Sequence, residues 1–338
     1  MERCTKPNNN QAAEAVFLHR VGLRHSGGAL NSTGVPLLFA PMPNSKRKHD
    51  AASVTANNTS EIPEEILQRK GARTTAAVPQ AVRDLLNCGQ IESANLCEWL
   101  IVDHGLLAQS VLPAFQWQDS LPIIHDALNQ LKAPTSMKRT MAVGTVLAAF
   151  HSSSREFGDA IATLQKHASD TVRTWACAMI GQRFNLTLTS KLTLLRPLAA
   201  DPNMGVREIA WMAARPGIAE NLTEAIQLLH SWVLDPDERI RRFASEATRP
   251  RGVWCTHLTA LKETPEQAMS LLEPLRNDPS EYVRNSVANW LNDASKSRPD
   301  FVRTTCQRWL VESPTPATKA IVKRALRTLT KKELSKPS

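Results

Sequence analysis

Hydrophobic residues recur at intervals of three and four from Ile62 to the end of the chain, and no alternating pattern of useful length occurs there. Prolines, serines and glycines interrupt this pattern every ten to fifteen residues or so, as expected at helix ends. The pattern predicts short capped helices that begin near Pro63, Pro79 and Ser93 and longer helices over residues 123–131, 137–150 and 157–167. The fold class is therefore predicted to be all-α.

The segment Ile240–Trp254 combines a hydrophobic face with a polar one. Its apolar positions, at helical spacing, are Ile240, Phe243, Ala244 and Ala247. Its other face carries Arg242, Ser245, Glu246 and Arg249. Pro250 should end the helix, and Arg251 and Trp254 follow in the turn. Cations, a carboxylate and an indole thus gather in one short stretch, which makes it a candidate site.

Four segments share one pattern, in which a turn precedes a Val-Arg or Ile-Arg pair at the start of a helix. They begin at Ser169, Asp201, Asp235 and Asp278, and their shared arginines are Arg173, Arg207, Arg241 and Arg284. These arginines are 34, 34 and 43 residues apart. This period predicts two-helix repeats stacked as a HEAT-like α-solenoid, an α-α superhelix. The Asp-Pro or Ser-Asp pair should supply the turn and the N-cap, and the shared arginines should bond neighbouring turns.

The boundaries follow from the same pattern. Residues 1–60 are rich in Asn, Ser, Pro and Gly and lack a helical period, which predicts a disordered N-terminal extension. The helical repeat domain should span residues 61–332, and a flexible tail should occupy residues 333–338. Within the extension, Lys46-Arg-Lys-His49 is interpreted as a solvated basic segment, with a nuclear signal or a phosphate contact as the alternatives.

The amino-acid composition limits the kinds of partner that the chain is expected to bind. Lys and Arg outnumber Asp and Glu by 41 to 32, so the net charge of +9 favours a polyanionic partner such as nucleic acid. The six cysteines are widely separated, which predicts neither a zinc site nor a disulfide framework and favours a reducing compartment. No apolar run is long enough to span a bilayer. We therefore expect a soluble monomer in the cytoplasm, associated with the nucleoid, or in the nucleus of a eukaryote.

If the second helices of successive repeats are parallel neighbours, equivalent positions form columns across the repeats. One place after the shared arginine stand Thr174, Glu208, Arg242 and Asn285. Four and five places after it stand Cys177/Ala178, Trp211/Met212, Ser245/Glu246 and Ala288/Asn289, and eight places after it stand Gly181, Arg215, Arg249 and Asn292. Since Trp211 shares a helix face with Glu208 and Arg215, these columns predict a functional groove rather than an inert solvated face.

Three blocks resemble the HEAT-repeat DNA alkylation-repair proteins of the AlkC/AlkD group, and are closer to AlkC. They are residues 206–216, 241–254 and 282–293, and a looser similarity covers Gly89-Gln-Ile-Glu-Ser and residues 96–103. The resemblance implies a DNA glycosylase that removes cationic N-alkylated purines such as 3-methyladenine from double-stranded DNA without a metal or other cofactor.

The resemblance also suggests roles for individual residues. Glu208 is the first candidate for the catalytic carboxylate; Glu246 is the second, and could instead form a structural salt bridge. Trp211 and Trp254 are candidates for stacking on a cationic base, although Trp254 could equally fill the core between repeats. Candidate phosphate ligands are Arg215, Arg242, Arg249 and Arg251. Trp232 and Trp309 should lie in the core, and Asp293 should be structural.

Two features complicate the assignment. Near Trp175, Ala178 and Met179 occupy the place where the AlkD branch carries an acid, so no catalytic aspartate can be transferred there. Basic residues at Lys319, Lys323, Arg324, Arg327, Lys331 and Lys332 could contact DNA or form the solvated face of a terminal helix. The alternatives to a glycosylase are a non-catalytic nucleic-acid-binding repeat module and a protein scaffold.

Overall fold

The computed structural model describes residues 62–252 and 254–334. Over these residues every regular element is helical. The helices are α1 (Glu64–Leu67), α2 (Gln80–Asn87), α3 (Leu96–Ile101), α4 (His104–Val111), α5 (Leu121–Asn129), α6 (Ser136–Phe150), α7 (Ser154–Leu164), α8 (Asp170–Gln182), α9 (Leu188–Ala199), α10 (Met204–Glu220), α11 (Leu222–His230), α12 (Glu238–Ala247), α13 (Thr259–Glu263), α14 (Met269–Leu272), α15 (Glu281–Ala294), α16 (Pro299–Glu312), α17 (Pro316–Ala325) and α18 (Arg327–Leu334). The all-α prediction is confirmed.

The second helices of the repeats pack in chain order. Helix α6 packs against α8, α8 against α10, α10 against α12, α12 against α15, and α15 against α17. Two glycines allow the closest approaches: a Cβ at Gly144 would meet the α8 backbone at 2.9 Å, and one at Gly181 would meet the Ala213 carbonyl at 3.1 Å. The predicted columns therefore come from helices that are direct neighbours.

The shared arginines act as a clamp on each turn. Nη1 of Arg173, Arg207, Arg241 and Arg284 donates in every case to the carbonyls five and six residues earlier. Arg173 also forms a bidentate pair with Asp201, and Arg241 forms one with Asp278, so these two guanidinium groups join one repeat to the next. The prediction that these arginines bond neighbouring turns is confirmed.

The turn aspartates differ from the prediction in one respect. Oδ1 of Asp201, Asp235 and Asp278 accepts the backbone N–H two residues later. The side chains that cap the following helices are those of Asn203, Asp237 and Ser280. The aspartate of each Asp-Pro pair therefore shapes the turn and leaves the N-cap to the residue two places on, because Pro has no N–H to offer at the intervening position.

The 43-residue spacing before Arg284 has a structural origin. After α12, residues 248–252 and 254–258 contain no helix, and the first helix of the fourth repeat is broken into α13, a 3₁₀ turn and α14. A further helix pair, α16 and α17, packs on α15 after the fourth repeat. Trp232 and Trp309 are buried, as expected for core residues.

Several boundary predictions lie outside the described residues, namely the extension at 1–60 with its basic segment and residues 335–338 of the tail predicted at 333–338. Residues 333 and 334 belong to α18. Among the helices that are described, none is long and apolar enough to cross a membrane.

Candidate functional site

A cleft of about 640 Å³ opens along the second helices of the second, third and fourth repeats. Its floor comes from two of the predicted columns, which contribute Glu208, Arg242, Asn285, Met212, Glu246 and Asn289. One wall is residues 92–96 with Trp99, and Trp254 and Tyr282 lie at other edges. The cleft brings together six of the eight predicted site residues: Glu208, Glu246, Trp211, Trp254, Arg242 and Arg249. Arg215 and Arg251 do not line it.

Glu208 is held in the cleft by two donors. Trp211 Nε1 donates to its Oε2 at 2.9 Å, and Arg242 Nη2 lies 2.8 Å from its Oε1. The pair Glu208–Arg242 joins the same register position in successive repeats, as the column argument predicts. A quarter of the Glu208 side chain stays exposed, so this carboxylate is oriented by the protein and still accessible to a ligand.

Arg242 is the centre of a charged network. Its guanidinium lies 4.3 Å from the centroid of the Tyr282 ring and 3.5 Å from Glu246 as well as pairing with Glu208. The two carboxylates raise the pKa of Arg242 against the opposing effect of burial. Arg242 is therefore paired with two carboxylates and holds one of them, Glu208, in place; its role as a phosphate ligand stays a prediction.

Glu246 is buried and fully engaged. Its Oε1 accepts from Arg249 Nη1 at 2.6 Å, and its Oε2 accepts from the Ser286 hydroxyl at 2.7 Å. Burial acts to raise its pKa, but the neighbouring arginines outweigh burial and leave the pKa lowered, so the group stays ionised. Of the two readings of Glu246, the structural salt bridge is the one this geometry favours.

The column eight places after the shared arginine lies between repeats. Arg215 is 3% exposed, and its Nη1 donates to the Ala247 and Arg249 carbonyls. Arg249 pairs with Glu246 and with Asp293, and Asn292 donates to the Ala325 carbonyl. Both guanidinium groups are therefore engaged within the protein: Arg215 contacts carbonyls at the end of α12, and Arg249 pairs with Asp293 of α15. The phosphate-binding roles of Arg215 and Arg249 stay predictions.

The two predicted base-contacting indoles differ in exposure. Trp211 is 1% exposed, so the protein surrounds it, and its Nε1 donates a hydrogen bond to Glu208. Trp254 is 62% exposed and holds a left-handed φ of 59°, a region that bulky residues seldom adopt. The alternative that Trp254 fills the core between repeats is wrong. Its indole is the one available for stacking.

Asp170, which the sequence analysis missed, lines the cleft. Oδ1 accepts from the backbone N–H and hydroxyl of Ser93, whereas Oδ2 is buried with no hydrogen-bond partner among the described residues. Burial raises the pKa of Asp170 to about 6. A signal was available: the other turn aspartates stand six places before the shared arginine, but Asp170 stands three places before Arg173. It therefore has no part in the turn.

Three further lining residues were missed. Trp99 is buried with its Nε1 unpartnered among the described residues, Tyr282 lies against Arg242, and Glu92 pairs with Arg173. Glu92 and Trp99 belong to the two stretches of looser family resemblance, but the resemblance suggested no role for either residue. Their arrival at the cleft depends on long-range packing that no local pattern shows.

The cleft is acidic although the chain is basic. Glu92, Asp170, Glu208 and Glu246 line it against the two guanidinium groups of Arg242 and Arg249. A cationic group that enters the cleft therefore meets a surplus of carboxylate. In the described part of the chain no three His, Cys, Asp or Glu side chains gather as a metal site would require.

The positions that replace the AlkD-branch acid are buried. Ala178 and Met179 are fully covered and lie against Gly144 of α6. A carboxylate there would be forced into a helix contact, so the departure from the AlkD pattern is consistent with the packing. Asp170, on the same helix, is the carboxylate that reaches the cleft instead.

Basic residues of the terminal helices adjoin the cleft. Arg324 Nε and Arg327 Nη2 both donate to Oδ1 of Asn289, which lines the cleft. Both arginines are exposed, as are Lys319, Lys323 and Lys331. Arg251, in the segment beside Trp254, is partly exposed.

The fold is similar to that of a solved structure, the Pseudomonas fluorescens alkylpurine DNA glycosylase AlkC bound to DNA containing an abasic site analog, with a TM-score of 0.56 and 25% sequence identity. The likeness covers 75% of this chain and 66% of that one. AlkD2 from Streptococcus mutans shows a weaker likeness, with a TM-score of 0.48, 22% identity, and coverage of 62% and 96%. The predicted resemblance to the AlkC/AlkD group and its helical-repeat fold is confirmed; the assignment to the HEAT class stays a prediction.

A relative from Bacillus subtilis (strain 168), the uncharacterized protein YhaZ, is 42% identical over 120 residues. The match covers 36% of this chain and 33% of YhaZ, so the chain spans about a third of the length of that relative. No protein-family model matches the chain.

Proposed function

We propose that this protein is a DNA glycosylase that hydrolyses the N-glycosidic bond of cationic N-alkylated purines in double-stranded DNA. The observation that carries the proposal is the acidic cleft of a basic chain, which is lined by an accessible carboxylate, Glu208, and by an exposed indole, Trp254. The likeness to AlkC supports it. An acidic cleft in a basic protein can accommodate a cationic base that belongs to a polyanionic DNA duplex.

The chemistry needs few groups because the alkylated base carries a positive charge. When the bond between C1′ and the base nitrogen breaks, its electron pair moves to the base and neutralises that charge. The sugar becomes oxocarbenium-like, and a carboxylate beside it stabilises the developing cation and orients the attacking water. Glu208 is assigned this role. Asp170, with its unpartnered oxygen and raised pKa, can accept the proton that the water releases.

The test is direct. Purified protein should release free methylated purines from duplex DNA treated with a methylating agent, as measured by chromatography of the ethanol-soluble fraction. A protein that binds the duplex in a salt-dependent manner but releases no base would instead be the non-catalytic nucleic-acid-binding module. Absence of both binding and release would favour the protein scaffold.

Trp254→Ala is expected to weaken binding of duplex that contains a cationic lesion by roughly 3- to 30-fold, the range of a single cation–π contact. The folded state should keep its stability because the indole is largely exposed. Binding to lesion-containing and unmodified duplex, measured by fluorescence anisotropy, checks this. The matched control is Leu234→Ala, which removes another exposed hydrophobic side chain away from the cleft. Equal losses in both variants would contradict the assignment.

Replacing both Arg324 and Arg327 by Gln is expected to reduce the salt dependence of duplex binding. If each arginine contacts one phosphate, the slope of log K against log salt should fall by about 2. Affinity measured across a salt series tests this, with Arg155→Gln/Lys166→Gln as a control that removes two exposed cations of α7 and its end. An unchanged slope would assign the terminal basic residues to a solvated face.

A further inference from the structure

A second pocket, of about 530 Å³, lies apart from the cleft and shares no lining residue with it. It is formed where the 3₁₀ turn Leu112–Phe115 and Trp117 meet the end of α6 and one face of α7. The functional proposal for the cleft makes no use of it.

The pocket is surrounded by aromatic rings. The rings of Trp117 and His151 lie 4.4 Å apart edge to face, those of Phe115 and Trp117 lie 5.0 Å apart, and those of Phe150 and His151 lie 5.1 Å apart. Phe150 is 36% exposed and Phe115 and Trp117 are half-buried, so part of each ring faces the pocket or solvent. Aromatic rings that line a pocket can attract a cation through their electron-rich faces.

One buried polar atom at the pocket is unused. His151 is 7% exposed, and its Nε2 has no hydrogen-bond partner among the described residues. Burial lowers the pKa of His151, so the ring is neutral near neutral pH. With the ring proton on Nδ1, Nε2 is an acceptor that has no donor among the described residues.

Two carboxylates complete the lining. Glu156 accepts from the Ser153 backbone and hydroxyl, and these bonds lower its pKa and keep it charged. Asp159 is exposed and pairs only loosely with Arg155, at 3.9 Å. The nearby Arg183 is turned away: it donates to the Ala148 and His151 carbonyls and lies over Phe157. No lysine or arginine is among the residues that line the pocket.

We infer that this pocket binds a small alkylated ammonium ion that retains one N–H. The methyl groups lie against Phe115, Trp117 and Phe150, the N–H points to His151 Nε2, and Glu156 and Asp159 supply the opposing charge. A neutral ligand lacks the attraction to the carboxylates, and an ammonium without an N–H leaves the imidazole nitrogen unsatisfied.

Three probes of similar shape separate these contributions when titrated into the full chain. Trimethylammonium carries the charge and the N–H, tert-butanol keeps a donor without the charge, and tetramethylammonium keeps the charge without the donor. The measured signal is the Trp117 indole N–H resonance, identified by its loss in Trp117→Phe. We expect saturable binding of trimethylammonium, at least about 5-fold tighter than that of either other probe.

Glu156→Gln is the companion variant, because glutamine preserves the capping box with Ser153 and removes the charge. It should weaken trimethylammonium binding at least 5-fold, whereas Asp300→Asn, another acid in the first turn of a helix, should not. Absence of saturable binding, or equal binding of tert-butanol, would overturn the proposal. Equal binding of tetramethylammonium would overturn the role of His151.

Discussion

Glu208→Gln is expected to slow release of methylated purine by roughly 100- to 1,000-fold, the effect of removing one preorganised electrostatic group from a transition state. Glutamine keeps the shape of the side chain, and its amide oxygen can still accept from Trp211 Nε1. The negative charge that would face the developing sugar cation is lost. Single-turnover release from methylated duplex measures the change, since that rate excludes product dissociation.

The control for this variant is Glu224→Gln, which neutralises an exposed carboxylate on α11 outside the cleft. Glu246→Gln provides a sharper comparison, because both oxygens of Glu246 are engaged by Arg249 and Ser286. It is expected to lower the free energy of unfolding more than Glu208→Gln does. If Glu208→Gln retained the wild-type rate with unchanged circular dichroism, Glu208 would not be the catalytic carboxylate.

Asp170→Asn is expected to make the protein more stable at about pH 8 while slowing base release. The pKa of Asp170 is about 6 in the folded protein against an ordinary value of 3.8. Between these values the folded state binds the proton more tightly than the unfolded state does, so stability falls as pH rises through this window. The total loss is on the order of 2 to 3 kcal/mol, and the amide avoids it because it carries no charge to bury.

Urea unfolding of wild type and Asp170→Asn at about pH 4 and about pH 8 measures the stability difference, which should appear at the higher pH and shrink at the lower one. Base release by the wild type should rise as pH increases through about 6, because the ionised carboxylate attracts the cation and accepts the proton. The variant should lack that rise. Exposed Asp126→Asn serves as the control. If Asp170→Asn were less stable than the wild type at pH 8, the carboxylate of Asp170 would not be an uncompensated buried charge.

The carboxylates of Glu208 and Asp170 lie in different surroundings. Glu208 is oriented by an indole and a guanidinium and remains accessible, whereas Asp170 is buried with one oxygen unsatisfied. An unsatisfied buried carboxylate destabilises the fold, so its presence at the cleft indicates a requirement other than stability. Acid–base chemistry at a single pH is favoured when two carboxyl groups of one site lie in different surroundings.

Part of the site could be predicted from the sequence because the repeat defines register. The spacing of Arg173, Arg207, Arg241 and Arg284 implied neighbouring helices, and neighbouring helices implied that Glu208 and Arg242 would stand side by side. The contacts of the shared arginines were also predicted correctly, because a residue that recurs in every repeat is expected to make a contact that every repeat requires. Their contacts to the turn carbonyls are the same in all four cases.

The rest depended on contacts between residues far apart in the chain. Residues eight places after each shared arginine were expected in the groove, yet Arg215 does not line it, and the guanidinium of Arg249, which does, is paired with Asp293 of the next helix. Asp170 becomes a candidate because residues 92–96 close over it, from 77 residues away. Local spacing by itself determined the helices, the repeat and the apolar faces, because these follow from backbone geometry and hydrophobic periodicity. Tertiary packing alone decided which polar side chains form contacts between helices and which stay accessible to a ligand, because burial and hydrogen-bond pairing depend on the neighbouring helix.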